Sequence, residues 1–247
     1  MASREVASAK PRAGLTRDRV LRAAIQIADK SGIEWLTMRN LAQKLGVEAM
    51  TLYYYVAKKD DIVDGILDLV VSEIEPPSDG GDWMAALRQS AISAHKVLLR
   101  HPWACGLMMS PARIRPARLR YMESLLGRLR QAGFSAEMTH HAYHALDSHI
   151  IGFTMWEVGY STGIRALPDS GAQLRQELAP DEYPYLVEHM EQHVKASDRK
   201  DNAGGEFEFG LGLILDGLEK FRVTPARREP ARATAPRPRL RMPAAKA

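Results

Sequence analysis

An all-α fold is predicted by three observations. Apolar residues recur at helical spacing along most of the chain, no segment shows a strand's alternation, and glycine, proline and small polar residues fall between the periodic segments. Two blocks emerge around the break PPSDGGD at 76–82: a short N-terminal three-helix unit of helix-turn-helix layout and a longer helical region. The boundaries expected are an arm at 1–14, the three-helix unit at 15–62, the helical domain at 63–221 and a tail at 222–247.

Composition narrows the class. With 247 residues and 45% hydrophobic content, the chain can bury a sizeable core. No apolar run reaches the roughly 20 residues a membrane span needs. The N-terminus MASREVASAKPRAG has no apolar region of the secretory type. The lone Cys105 excludes an internal disulfide framework and a cysteine-based zinc site. A reduced, cytoplasmic setting without membrane contact is expected. The net charge is only +4, but the stretch up to Lys59 and the tail from Arg222 are basic, while the part between is acidic on balance. That distribution suits a protein that touches nucleic acid with one part only.

Taken in order, residues 1–14 are polar and aperiodic and are expected to be disordered. Thr16 is a candidate N-cap for a first helix carrying Val20, Leu21, Ala24, Ile25 and Ala28, which Ser31-Gly32 ends with glycine in a left-handed position. Ile33, Trp35 and Leu36 bridge to a second cap at Thr37, with Trp35 expected in the core. The next helix places Leu41, Ala42 and Leu45 on one face, and Gly46 closes it. A small Ala42 lets two helices approach, Gly46 permits the turn, and Leu52 plugs the shared core. A helix from Lys59 carries Ile62, Ile66, Leu67, Val70 and Ile74 and is expected to run to Pro76-Pro77.

Further helices are expected at Trp83–Arg100, Ala117–Gln131, 136–159 with Ser135 as cap, 181–197, and 207–221. Residues 101–116 fit two short helices or a helix and a loop; 162–180 reads as loop. The Pro/Ala/Arg-rich tail is low in complexity and expected to be disordered.

The stretch Thr37–Lys59 carries the functional signal. Two helices joined by a tight turn, the second with a polar and aromatic face, match a unit that sets one helix in the DNA major groove. With its flanks it reads LTMRNLAQKLGVEAMTLYYYVAKKDDIVDGI, and from Leu15 to Ile66 the chain resembles the Tet repressor family of bacterial transcription regulators. NLAQKLGVE followed by TLY is similar to the tetracycline-repressor branch in particular.

The resemblance implies DNA contacts from Thr37 and Arg39 on helix two, from Ala49, Met50, Thr51, Tyr53, Tyr54 and Tyr55 on the recognition helix, and from Lys59 on a phosphate. The residue types suit those roles. Arginine forks onto guanine or phosphate, threonine offers a hydroxyl to a base, and tyrosine hydroxyls reach phosphates. The resemblance also implies a homodimer on a palindromic operator, paired through the helices at 136–159 and 207–221, and a helical domain that binds a small-molecule effector.

For that effector, His149 and Glu157 look like a pair that lies near the drug and its magnesium in the tetracycline branch. Met109 stands where that branch supplies a metal-binding histidine, and a thioether does not replace imidazole for magnesium. No metal or other cofactor is therefore expected. Trp103, Met108, Met109, Phe153, Met155 and Trp156 point instead to an apolar, adaptable pocket, with a plain core role as the alternative. His140 and His144 share a helix face, but no third ligand accompanies them, so a solvated or interface histidine cluster is expected. The rival classes are a metal-dependent enzyme using the histidine-rich helix at 140–149 and an architectural DNA-binding protein without effector. Against the enzyme, the chain lacks a phosphate loop, a nucleophile elbow and a full ligand set, and no catalytic residue is identified.

Overall fold

The computed structural model describes residues 14–110, 114–162, 179–197 and 205–222, and the description below is confined to these. The disordered arm and tail expected from sequence, and nearly all of the loop expected at 162–180, lie outside the described residues. Among the described residues the chain is helical without strands.

The N-terminal head begins with α1 (Arg17–Ser31), whose expected cap forms as Thr16 Oγ1 accepts from the Arg19 amide at 3.2 Å. A short 3-10 turn, Ile33–Trp35, leads to α2 (Met38–Leu45), capped by Thr37 Oγ1 on the Asn40 amide at 3.1 Å. Trp35, expected in the core, is 59% exposed. Leu36 takes the inward position instead, and Asn40 Nδ2 clamps the Trp35 carbonyl at 2.9 Å, so the turn is fixed with the indole outside.

Gly46 closes α2 at φ 66°, ψ 35°, the left-handed conformation the turn demands. A Cβ there meets nothing within 4 Å, so a Gly46→Ala change carries only a conformational penalty. We expect a loss of about 1–2 kcal/mol from left-handed backbone strain, read as a lower denaturation midpoint with an unchanged denaturant slope.

α3 (Ala49–Leu52) is a single turn, and α4 (Lys59–Ser72) follows. Leu41, Ala42 and Leu52 are buried together with Val20, Ala24, Leu36, Ile62 and Ile66, as the spacing of 42, 46 and 52 predicts. α4 serves two cores. Its first half, through Ile66, packs in the head, and Leu67, Val70 and Val71 pack in the body. The change of core thus falls inside a continuous helix, a turn later than the boundary expected after residue 62. α4 also stops at Ser72, short of Pro76-Pro77. The reason is side-chain capture from the next helix: Ser93 Oγ accepts from the Glu75 amide at 3.0 Å and Ser90 Oγ donates to its carbonyl at 2.8 Å.

The body contains α5 (Trp83–Arg100), α6 (Trp103–Met108), α7 (Pro116–Gln131), α8 (Ala136–Thr162), α9 (Pro184–Ser197) and α10 (Gly205–Glu219). Asp82 caps α5, and Ser135 caps α8 through the Met138 amide. α5 packs on α7, α8 and α10, and their buried faces make one core that includes Leu87, Leu98, Leu125, Leu129, Phe134, Leu146 and Phe207. α9 begins at Pro184, three residues later than expected, because 180–182 form a turn.

Head and body are tied by polar side chains. Asp29, near the end of α1, accepts from His101 Nδ1 at 2.8 Å and from Trp103 Nε1 at 2.7 Å. Arg115 pairs with Asp64, and Asp68 accepts from the Ala117 amide at 2.7 Å, fixing the start of α7 to α4.

Candidate nucleic-acid interface and effector site

The reader region is built on the turn between α2 and α3. Arg39 projects exposed from the first turn of α2 beside the exposed Thr37. Ala49 is exposed and Met50 is 70% exposed, on a helix whose other side is taken up by core contacts. Thr51 is different. It is 8% exposed, because in a one-turn helix the positions of Thr51 and Leu52 both face the packed side. Its hydroxyl is not on the open surface expected of a base-reading group.

Tyr53, Tyr54 and Tyr55 do not lie on the recognition helix. They follow it in a hydrogen-bonded turn, where the Tyr55 and Val56 amides both donate to the Leu52 carbonyl, at 2.9 and 3.1 Å. Tyr53 and Tyr54 are exposed, and Tyr55 is half-buried against the head core. Asp61 accepts from the Ala57 and Lys58 amides, each at 3.2 Å, which sets Lys59 at the start of α4 with its side chain exposed. Lys58, not singled out from sequence, is exposed beside it.

In the body the residues expected in one apolar pocket separate. Trp103 belongs to the joint with α1. Met108 packs half-buried on the body core, and Met109 is 64% exposed. Met155 and Trp156 are also exposed. His149, Phe153, Trp156 and Glu157, by contrast, share one cluster with residues from two other helices. Phe207 of α10 lies between two imidazoles: His95 of α5 stacks on it at 4.0 Å between ring centroids, and His149 of α8 at 4.8 Å. Phe153 meets Phe207 at 5.6 Å edge-on and Trp156 at 5.5 Å. His149 Nε2 donates to the Phe207 carbonyl at 2.9 Å, and only a glycine at 210 leaves room, since a Cβ there would lie 2.7 Å from the His149 ring.

His95 is buried, with Nδ1 2.8 Å from Thr154 Oγ1 and Nε2 3.1 Å from Glu157 Oε2. Burial, and secondarily His149, push its pKa down to about 4. Burial, and secondarily Glu206, push the Glu157 carboxyl up. His95, Thr154 and Phe207 were not identified from sequence. The one legible signal was a histidine inside the apolar stripe of Ala91, Ala94 and Leu98. Thr154 and Phe207 gave none, because tertiary packing alone brings α5, α8 and α10 together.

Burial of His95 also makes stability depend on pH. A histidine held below its ordinary 6.5 contributes stability that is complete above that value and is lost as pH falls towards about 4. His95→Gln should flatten the acid limb of the stability profile by up to about 3 kcal/mol, since each tenfold loss of proton affinity on folding is worth roughly 1.4 kcal/mol. Thermal unfolding of both proteins between those two pH values measures it.

His140, His141 and His144 are exposed, and the His140 ring lies 5.6 Å from that of His141 and 4.6 Å from that of His144 between centroids. Among the described residues no group of three or more histidine, cysteine or acidic side chains is arranged to hold a metal ion. Nor is any helix among them long and apolar enough to cross a membrane.

A helix-turn-helix head continuous with a longer helical body is the layout of a DNA-binding transcription regulator. The chain belongs to the Tet repressor family. Residues 20–66 match the model of bacterial regulatory proteins of the tetR family, and residues 75–222 match the tetracyclin repressor-like C-terminal domain. It is 36% identical over 222 residues to the transcriptional repressor DrrR1 of Streptomyces coeruleorubidus, spanning 85% of this chain and 79% of that one. It is 30% identical to the class D tetracycline repressor protein of Escherichia coli, over 84% of this chain and 90% of the relative. Among solved structures, that of the TetR family protein ActR of Streptomyces coelicolor in complex with actinorhodin superimposes with a TM-score of 0.68 at 26% identity, covering 84% of this chain and 96% of that one.

Proposed function

We propose that this regulator is a repressor that binds a palindromic operator as a homodimer and is released by a small, planar, largely apolar effector. One observation carries the DNA half. Arg39, Met50, Tyr53 and Tyr54 stay exposed on a head whose own core is already filled by Leu41 and Leu52. The boundaries follow the same logic: a reading head through the first half of α4, then an effector-binding and dimerising body. Thr37, Ala49, Lys58 and Lys59 complete the reading surface, with Thr37 acting through its backbone position because its hydroxyl caps α2. Thr51 supports that surface from beneath, and Tyr55 does so in part.

Dimerisation is supported by the two-sided character of α10. Phe207, Leu211 and Leu215 are buried in the body, while Phe209 and Leu213 face outward exposed. A helix apolar on both sides is one shared with a partner. Two heads so joined enter successive major grooves about 34 Å apart.

The effector reading rests on the ring cluster of His149, Phe153, Trp156 and Phe207. Stacked and edge-on rings with few polar groups favour a flat aromatic ligand. Relatives point the same way, since ActR is described with actinorhodin and other relatives are tetracycline repressors. Met108 and Met109 stand outside this cluster, and no metal enters the reading.

Fluorescence anisotropy with a duplex from the gene's upstream region tests the proposal. Arg39→Ala should weaken binding by about 1–3 kcal/mol and relax sequence preference at one position of each half-site. Wild-type binding that ignores duplex sequence, or an Arg39→Ala variant that binds as tightly, would sink the DNA half. Aromatic compounds that leave the complex intact across a screen would sink the effector half.

A further inference from the structure

The hydrogen bonds around His95 leave one proton to be accounted for. Thr154 Oγ1 lies 2.6 Å from the Ile150 carbonyl, and of these two oxygens only the hydroxyl has a proton to place between them. Thr154 must therefore accept from His95 at 2.8 Å, which puts a proton on Nδ1. In a neutral ring Nε2 is then a bare acceptor. It faces Glu157 Oε2 at 3.1 Å, where two lone pairs would repel unless a proton lies between them.

We propose that Glu157 and His95 hold one shared proton, so that the effector site proposed above presents an uncharged carboxyl and favours uncharged, hydroxyl-bearing aromatics over ammonium-bearing ones. This rests on the effector reading for the ligand and on the hydrogen-bond pattern for the proton. With the proton bridging to Nε2, the other carboxyl oxygen can accept from a ligand hydroxyl, and the Glu157 side chain is 43% exposed at that corner. An ammonium ligand would require the carboxylate and bind only by expelling the proton.

The surroundings agree from each helix packed there. α5 contributes His95, with Arg88 donating to the Glu208 carbonyl at 3.5 Å. α8 contributes His149 and Thr154, and α10 contributes Phe207 and Glu206. Burial disfavours charge on both members of the pair, lowering the imidazole to about 4 and raising the carboxyl, so both directions favour the carboxyl oxygen over the ring nitrogen as the seat of the proton that the 3.1 Å approach calls for. A raised carboxyl loses its proton as pH rises, and the ligand preference should disappear in the same direction.

The test uses the full-length protein in two arms. Long-range proton–nitrogen NMR at pH 7 should show His95 neutral with the proton on Nδ1, and the Glu157 carboxyl carbon should titrate above the ordinary carboxylate range. An imidazolium, the opposite tautomer or an ordinary carboxylate midpoint would overturn the shared proton. In the second arm, calorimetry with 2-naphthol and 2-naphthylmethylamine should favour the naphthol by about tenfold at pH 7. The amine should release one proton on binding. Raising the pH should erase the wild-type preference but not that of Glu157→Gln, whose amide donates to Nε2 and cannot ionise. Equal or tighter binding of the amine at neutral pH overturns the selectivity. If neither probe binds while NMR finds the proton, the effector reading fails and takes the selectivity with it, but the shared proton stands.

Discussion

Leu52→Ala should unfold the head and abolish operator binding while leaving the body intact. Leu52 is 0% exposed and sits where α3 meets Leu41, Ala42, Val20 and Ile62. Truncating a fully buried leucine costs about 2–5 kcal/mol when the surroundings cannot collapse onto the gap. Collapse is restricted here because α3 is one turn long and is held at both ends, by Glu48 and by the Leu52 carbonyl bonds to Tyr55 and Val56. The body keeps its own core around Leu98, Leu129 and Leu146, joined to the head through α4 and the Asp29 contacts. Hydrogen exchange should accordingly speed up in α1 to α3 and the start of α4 and stay slow in α5, α7 and α8. Leu52→Met, which keeps the volume, should cost under about 1.5 kcal/mol and restore binding. Unchanged protection of α1 to α3 in Leu52→Ala would refute the assignment of Leu52 as the head's central plug.

The parts of this molecule legible in sequence are those governed by local chemistry. Thr16, Thr37 and Ser135 each cap the helix that follows, and Gly46 adopts the positive φ that its position in the motif requires. Trp83–Arg100 forms with the bounds expected from periodicity. The family itself was legible from Leu15 to Ile66 for the same reason, since a tight helix-turn-helix leaves few residue choices at its small, turning and plugging positions.

What failed was decided by tertiary packing. Periodicity cannot see that α3 ends after one turn, so the tyrosine run looked helical. Trp35 and Leu36 are adjacent apolar residues, and only the fixed 3-10 turn decides which one points in. Met109 and Trp103 matched an apolar pocket by type, but one is exposed and the other is engaged by Asp29. The His95, Thr154 and Phe207 part of the cluster depends on three helices meeting, which no spacing along one helix encodes.

Removing one half of the ion pair between α7 and α8 should be more damaging than removing both. Arg118 is 7% exposed, and its Nη2 donates to both Asp147 oxygens at 2.7 Å and to the Tyr143 hydroxyl at 3.2 Å. Asp147→Leu leaves a guanidinium buried without its counter-charge, and such a break costs about 3–5 kcal/mol. Arg118 cannot escape by losing its proton, Nη1 is already buried without a partner, and the Tyr143 hydroxyl left to Nη2 carries no counter-charge. Arg118→Met with Asp147→Leu replaces both charges with apolar volume and should lie near wild type or above it, because the desolvation penalty disappears with the charges. Urea denaturation of the four proteins gives the coupling energy directly. A double variant as unstable as Asp147→Leu alone would mean that shape, not charge pairing, holds α7 against α8. A near-wild-type double variant would assign the loss to the stranded charge. Arg115 and Ala117 at the start of α7 are bound to Asp64 and Asp68 of α4, so loosening α7 on α8 should also be felt in α4. The single variant is therefore expected to weaken operator binding as well as stability, and the double variant to recover both.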